Sequence, residues 1–191
     1  MTMATGKQGI IGLVYAAIAV GLMATLGMVS FGTRAVAAEQ RVAVFPFELL
    51  DASQDDELIP KIRPEETQRL ELLTNDLKTR LSANPTYTIA NLDGVAADVK
   101  ASAPLYKCNG CEGDLAKKAG ADVAMLGLVQ KFSDTLLSVS IEVVDASTGR
   151  VTGSYTAGVQ GNTDDAWLHA LRHIVKNKIV VEAVSIGTKT P

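Results

Sequence analysis

The sequence is poor in the side chains that carry most catalytic and metal chemistry. It contains only two cysteines and two histidines in 191 residues. It also lacks the Gly-x-Ser-x-Gly elbow of hydrolases, a phosphate-binding glycine loop and the His-Glu-x-x-His motif of metalloproteases. No nucleophile is paired with a base along the chain. These absences favour a non-enzymatic protein, and no motif requires a cofactor.

An excess of basic residues is also missing. The chain has 18 lysines and arginines against 21 acidic residues, which gives a formal net charge of −3. Without residues 1–38 the remainder has 16 basic and 21 acidic residues, a net charge of −5. Broad nucleic-acid binding needs a basic surface that displaces phosphate counterions. The charge therefore argues against a nucleic-acid partner.

The N-terminus carries the longest apolar segment. Residues 10–29 are almost entirely apolar, and residues 35–37 form the small-x-small pattern of a signal-peptidase site. We predict a signal peptide over residues 1–38, cleaved near Ala37 or Ala38, which delivers residues 39–191 to the periplasm as one domain. The alternative is an uncleaved inner-membrane anchor facing the periplasm, since about 20 apolar residues span a bilayer.

The remaining pattern predicts an α/β domain. Residues 41–47 are typical of a buried strand, and leucines at positions 70, 73, 77 and 81 predict an amphipathic helix. Continuing along the chain, the predicted order is β-α-β-α-β-β-β-α. A helix between the first two strands implies parallel pairing, and the last three strands predict an antiparallel meander. We expect a single mixed sheet of about five strands with helices packed on it.

The final helix is expected to bury one side and expose the two histidines. Its predicted inner side comprises Trp167, Leu168, Leu171, Ile174, Val175 and Lys178. At about 100° per residue, His169 and His173 lie roughly opposite that stripe. Their spacing of four could clamp a metal ion, but no third ligand follows at metalloprotease spacing. They are weak metal candidates, and exposed surface histidines are the favoured interpretation.

Cys108-Asn-Gly-Cys111 is the sharpest local feature. The spacing allows the two sulfurs to form a disulfide, and the pair directly precedes a predicted helix whose N-terminus would favour a thiolate. We favour a structural disulfide. A redox pair remains an alternative, and a metal site would need two further ligands.

An acidic segment follows the first predicted strand. Residues 48–64 are interpreted as a loop that carries Glu48, Asp51, Ser53 and Asp55. It lacks the glycine and glutamate positions of an EF-hand, so a solvated loop is favoured over a calcium site. The loop leaves the C-terminal end of a strand, where open α/β sheets tend to bind ligands. It is therefore a possible ligand-binding loop.

Three segments carry a family resemblance: residues 42–47, 115–127 and 144–151. They resemble the bacterial envelope domains found at the N-terminus of the translocation protein TolB and in the periplasmic part of the curli secretion protein CsgG. More narrowly, Phe-Glu-Leu-x-Asp at residues 47–51, the cysteine pair and Gly-Asn-Thr-Asp at residues 161–164 resemble a domain of unknown function in small secreted bacterial proteins. That likeness spans residues 41–180. It implies architecture rather than chemistry.

The sequence supports one function and leaves two alternatives open. The resemblance and the missing catalytic set favour a binding or assembly module in the cell envelope, whose partner is an envelope protein or a small ligand. The alternatives are a periplasmic thiol-disulfide protein that uses the cysteine pair and a metal-binding accessory protein. Contact with a membrane is expected only if the N-terminal segment stays attached.

The first prediction concerns the mature chain. The exported protein is expected to begin near residue 38 or 39 and to be two hydrogens lighter than its reduced form, because the leader is removed and Cys108 and Cys111 are joined. Intact-mass spectrometry before and after reduction and alkylation measures both. A full-length chain with two free thiols would contradict it.

Overall fold

The computed structural model describes residues 39–53 and 62–179, which form a sheet with helices on both faces. The predicted leader and Asp55 lie outside the described residues. The elements in chain order are β1 Gln40–Val44, β2 Glu48–Asp51, α1 Pro64–Ser82, β3 Tyr87–Ile89, α2 Ala96–Ser102, α3 Cys111–Lys118, β4 Val123–Lys131, β5 Leu136–Asp145, β6 Val151–Gln160 and α4 Asp164–Ile174. Two 3-10 turns, Asp93–Val95 and Leu105–Lys107, flank α2. Among these residues no helix combines the length and apolarity that crossing a membrane requires.

The sheet is mixed and has six strands in the order β3-β1-β4-β5-β6, with β2 also paired to β4. Strand β1 pairs in parallel with β3 and with β4, and the last three strands form an antiparallel meander. The predicted fold class and its order of pairing are confirmed. The chain leaves β1 toward β3 and later returns on the other side of β1. The order of strands therefore reverses at β1.

Alternating side chains of β1 separate two apolar cores. Val42 and Val44 face the larger core, which contains the leucine stripe of α1 and the inner side of α4. Ala43 and Phe45 face the smaller core under α3. The predicted leucines at positions 70, 73, 77 and 81 are all buried, so the helical periodicity identified the correct face.

A short strand replaces part of the predicted loop. The assignment of residues 48–64 to a loop was wrong at its start, because Glu48–Asp51 is strand β2. Val44 pairs with Met125, and Glu48 pairs with Leu128. Between these pairs the stretch from β1 to β2 has one residue more than β4. Pro46 cannot donate to the ladder, and the chain therefore bulges there and resumes pairing as β2.

The side chain of Phe47 fills the bulge, and the backbone N–H of Phe47 has a hydrogen-bond acceptor. The ring of Phe47 lies on Gly127, where an added Cβ would meet ring atoms at 2.4 Å. The Phe47 N–H donates to Thr74 Oγ1 at 2.9 Å, and Thr74 Oγ1 donates in turn to Leu70 O at 2.8 Å. This break in the strand leaves no unpaired N–H at Phe47 because α1 supplies the acceptor.

At the end of the last helix, one residue that was predicted to be buried is exposed. Trp167, Leu171, Ile174 and Val175 are buried as expected, but Lys178 is exposed and Ile179 is buried in its place. Residues Val175–Ile179 form a π-helical turn. A π turn adds one residue per turn, so the buried position moves from 178 to 179.

Candidate functional site

Three of the four residues of the predicted ligand loop are described, and they lie in two different places. Glu48 and Asp51 belong to β2, where their side chains point to opposite faces of the sheet because three positions separate them. The Glu48 carboxylate accepts hydrogen bonds from the N–H groups of Leu105 at 2.8 Å and Tyr106 at 3.1 Å. Ser53 donates through both its N–H and its hydroxyl to Asp51 Oδ1. Glu48 therefore shapes a neighbouring turn, and Asp51 enters a different cluster.

That cluster is a buried ionic network centred on Lys131. Its ammonium group lies 3.2 Å from Asp51 Oδ2, 3.2 Å from Glu66 Oε1 and 3.2 Å from Asp134 Oδ1. The side chains of Lys131, Asp51 and Glu66 are 5%, 2% and 1% exposed. Burying a charge is tolerated only when it is paired and fully hydrogen-bonded, and each ammonium proton here has a carboxylate acceptor.

Glu66 is the most heavily bonded member of the network. Its Oε1 accepts from Arg63 Nη2 at 2.7 Å and from Asn162 Nδ2 at 3.1 Å, and its Oε2 accepts from the Arg63 N–H at 3.2 Å. Burial opposes ionisation, but these hydrogen bonds and the one from Lys131 hold the pKa of Glu66 at about 2. Burial also acts to lower the pKa of Lys131, yet its hydrogen bonds to Asp51, Glu66 and Asp134 raise it. Both groups are charged at neutral pH, and their ion pairs hold β2, β4 and α1 together.

An apolar groove opens at the C-terminal ends of β1 and β3. Its volume is about 340 Å³, and it is lined by Pro46, Glu48, Lys78, Leu92, Ala96, Val99, Lys100, Ala103 and Leu105. The groove lies beyond the carboxyl ends of two parallel strands, the edge at which open α/β sheets bind ligands. Ligand pockets typically measure about 300–1,000 Å³ and are mostly apolar with a few polar groups. Its volume and lining both match that description.

Cys108 and Cys111 form a disulfide at the start of α3. The Oε2 atom of Glu112 lies 3.1 Å from Cys108 Sγ and accepts a hydrogen bond from the Gly110 N–H at 3.0 Å. Asn109 and Gly110 both have positive φ, as expected for a tight turn between the cysteines. The carboxylate against the sulfur would repel an attacking thiolate and a departing one, since both carry negative charge.

A second carboxyl lies close enough to be affected by that negative charge. Burial, and after it the charge of Glu112, raises the pKa of Glu142. Both side chains line a cavity of about 270 Å³ beside the disulfide, which also contains Tyr106, Asn109, Leu126, Leu128, Ser140 and Ser154. This cavity lies on the face of β4 and β5 opposite α4. Its acidic lining is unsuited to an anionic nucleophile.

The metal candidates fall into two groups. Among the described residues, Cys108, Cys111 and Glu112 place one ligand atom each within 4.8 Å of one another. The sulfurs are bonded to each other, so this set could bind a metal only after reduction. His169 and His173 are both exposed on α4, and His173 Nδ1 lies 3.1 Å from Asn177 Nδ2. The structure brings neither histidine to the cysteine pair.

Several residues of these sites escaped the sequence analysis. Neither Lys131 nor Glu66 was identified as a candidate residue from the sequence. An alternating pattern along β4 could have revealed Lys131, because it occupies a position that faces the core. Glu112 follows Cys111 directly in the sequence, yet its contact with Cys108 depends on how the turn closes. No local pattern marked Lys78 and Lys100 as neighbours of one groove.

Comparison with known proteins gives a family without an assigned activity. The model of the DUF3280 family matches residues 40–179. That family is described as "Protein of unknown function (DUF2380)". No curated protein matches significantly.

Solved structures match this chain at low identity. The lipoprotein GNA1162 from Neisseria meningitidis is 17% identical, with 74% of this chain and 96% of that chain covered and a TM-score of 0.47. The LpoB C-terminal domain from Salmonella enterica is 15% identical, with 66% and 86% covered and a TM-score of 0.44. TolB from Acinetobacter baumannii is 13% identical, with 78% of this chain but 28% of that chain covered and a TM-score of 0.42. These TM-scores are below 0.5, so no function is transferred from them.

The buried network yields a stability prediction. Glu66→Gln is expected to lower the free energy of unfolding by about 3 kcal/mol, because it removes one charge from a buried, mutually paired set. Glu65→Gln is the matched control: its side chain is 50% exposed and lies 3.6 Å from Arg63 Nε, so its cost should stay below about 1 kcal/mol. Urea unfolding at neutral pH measures both. Equal costs would contradict a special role for Glu66.

The lowered pKa of Glu66 predicts that the effect of Glu66→Gln on stability depends on pH. The pKa of Glu66 is lowered from 4.5 to about 2 on folding, so its contribution is fully present above pH 4.5 and is lost as the pH falls toward 2. The difference in unfolding free energy between the native protein and Glu66→Gln should therefore shrink over that interval. Urea midpoints measured at successive pH values test this, and a constant difference would refute it.

The carboxylate beside the disulfide yields a kinetic prediction. Glu112→Gln keeps an acceptor for the Gly110 N–H but removes the charge, so reduction by dithiothreitol should become about five- to tenfold faster, as a barrier of about 1 kcal/mol is relieved. Asp114→Asn, an exposed change on the same helix, should leave the rate unchanged. Alkylation followed by mass spectrometry gives the rates. Identical rates for all three proteins would show that the Glu112 charge does not protect the bridge.

Proposed function

We propose that this chain, which belongs to the DUF3280 family described as a protein of unknown function, is an exported binding module of the bacterial cell envelope that works without catalysis. The observation that carries the proposal is the apolar groove at the C-terminal ends of β1 and β3. The groove is open, lies beyond the carboxyl ends of two parallel strands and is ready to receive a partner or ligand.

The location outside the cytoplasm rests on two sequence features. The apolar leader at residues 10–29 is followed by a small-x-small cleavage pattern, which supports export to the periplasm. A Cys108–Cys111 bridge persists in an oxidising compartment and would be reduced in the cytosol. Both features are compatible with a domain that remains anchored at the inner membrane if the leader is not cleaved.

The charged clusters favour binding over catalysis. The buried network uses its carboxylates to neutralise Lys131, and Glu48 and Glu112 use theirs to accept backbone N–H groups. A general base needs a free lone pair within reach of a substrate proton. In the described part of the chain, these carboxylates act within the fold and leave the groove for recognition.

A thiol-disulfide protein is the second candidate. The position of Cys111 as the first residue of α3 favours it, because a helix N-terminus stabilises a thiolate. The contact between Glu112 and Cys108 Sγ opposes it, since the carboxylate destabilises that same charge. The dithiothreitol kinetics of Glu112→Gln therefore bear directly on this alternative. Rapid exchange by the native protein would favour the redox function.

The groove can be tested as the binding site in living cells. A photo-crosslinking amino acid at Ala103, in the groove wall, is expected to capture a defined adduct from the envelope. The same amino acid at Lys176, exposed beyond α4, is the control and should not capture it. Ala96→Trp, which fills the groove, should remove the adduct. Cell fractionation gives the location of the protein, and mass spectrometry identifies the adduct. Identical adducts at both positions, or none at either, would refute the proposal.

A further inference from the structure

Helix α2 is only partly covered by the rest of the fold. None of its seven residues is buried: Ala96 is exposed, and Val99 packs only in part against the smaller core. Both line the groove together with the exposed Ala103, just beyond the helix, and the buried Leu105. Apolar surface that faces water is stabilised when hydrocarbon covers it, so the exposed part of this lining favours an apolar occupant.

Two lysines border this apolar surface without a carboxylate partner. Lys78 from α1 and Lys100 from α2 both line the groove, and neither forms an ion pair within the described part of the chain. Other cations close by are paired: Lys118 Nζ lies 2.5 Å from Asp98 Oδ2, and Arg80 Nε lies 2.5 Å from Asp76 Oδ2. In a chain of net charge −3, two unpaired ammonium groups beside one groove select for an anion.

The one carboxylate in the groove is already engaged. Glu48 accepts hydrogen bonds from the Leu105 and Tyr106 N–H groups through its two oxygens. Its charge is thereby directed at the backbone of the turn that forms the groove wall. The lysines are left to face an incoming ligand, and the groove keeps a net positive charge.

We propose that the groove binds a fatty-acid-type amphiphile, with its acyl chain against α2 and its carboxylate between Lys78 and Lys100. This inference rests on the proposed function and adds the class of ligand. A volume of about 340 Å³ lies at the small end of ligand pockets and fits a single acyl chain better than a folded partner. The neutral face of α2 and the charged border match the two halves of such a molecule.

Isothermal titration calorimetry with dodecanoate, below its micelle concentration, tests the ligand class on the natively expressed protein. Dodecanoate should bind at least fivefold more tightly than dodecanol or dodecyltrimethylammonium, which present a neutral or a cationic head. The double variant Lys78→Gln/Lys100→Gln should lose about five- to tenfold of the affinity for dodecanoate, as expected for two partly exposed ion pairs, and bind dodecanol unchanged. Lys176→Gln, outside the groove, is the matched control and should bind like the native protein.

Ala96→Trp locates the site. Ala96 is exposed, so this change should leave the thermal midpoint near that of the native protein while it lowers dodecanoate affinity at least tenfold. Methyl NMR spectra should show dodecanoate shifting the signals of Leu92, Val99 and Leu105, which report the groove independently of the variant. Binding that moves none of these signals would place the amphiphile elsewhere and overturn the inference.

The two proposals fail in different ways. Equal binding of dodecanoate and dodecanol in the groove would overturn the anionic ligand class and leave the groove as a binding site. Absence of any amphiphile binding would overturn the ligand class, while the envelope crosslinks at Ala103 still decide the binding function. Loss of the crosslinks together with loss of amphiphile binding would overturn both.

Discussion

The ammonium group of Lys131, enclosed by the carboxylates of Asp51 and Glu66, is the interaction on which the candidate site depends. It fastens the short strand β2 to β4 and to the start of α1 beyond the bulge at Pro46. Strand β2 carries Glu48, whose carboxylate fixes the turn that begins at Leu105. That turn forms one wall of the groove. A buried ionic network on one face of the sheet thus influences the shape of a surface on the opposite face.

The segment between α2 and α3 shows how this domain uses its acidic residues. Glu48 holds the N–H groups of Leu105 and Tyr106, and Glu112 holds that of Gly110. The disulfide joins Cys108 and Cys111 between these two anchors. Carboxylates that accept backbone hydrogen bonds stabilise a single conformation of an otherwise irregular stretch. This stretch forms one wall of the groove, which Leu105 lines.

The elements with a regular period were accessible from the sequence. The leucine stripe of α1 was confirmed, since it depends on spacing within a single helix. Strand β2 was missed because a polar, acidic composition concealed four residues that pair with β4. Lys178 was misplaced because the π-helical turn breaks the period of 3.6 on which the prediction relied.

The amino-acid order by itself determined the class of fold, the parallel and antiparallel pairings and the closeness of the two cysteines, because these follow from local periodicity and short separations. The groove and the ionic network were decided only by the tertiary structure. Asp51 and Lys131 are 80 positions apart, and they meet because β2 and β4 pair in one particular register. A shift of one residue between the strands would place the two side chains on opposite faces of the sheet. Contacts of this kind depend on how distant strands align, and local spacing carries no information about that alignment.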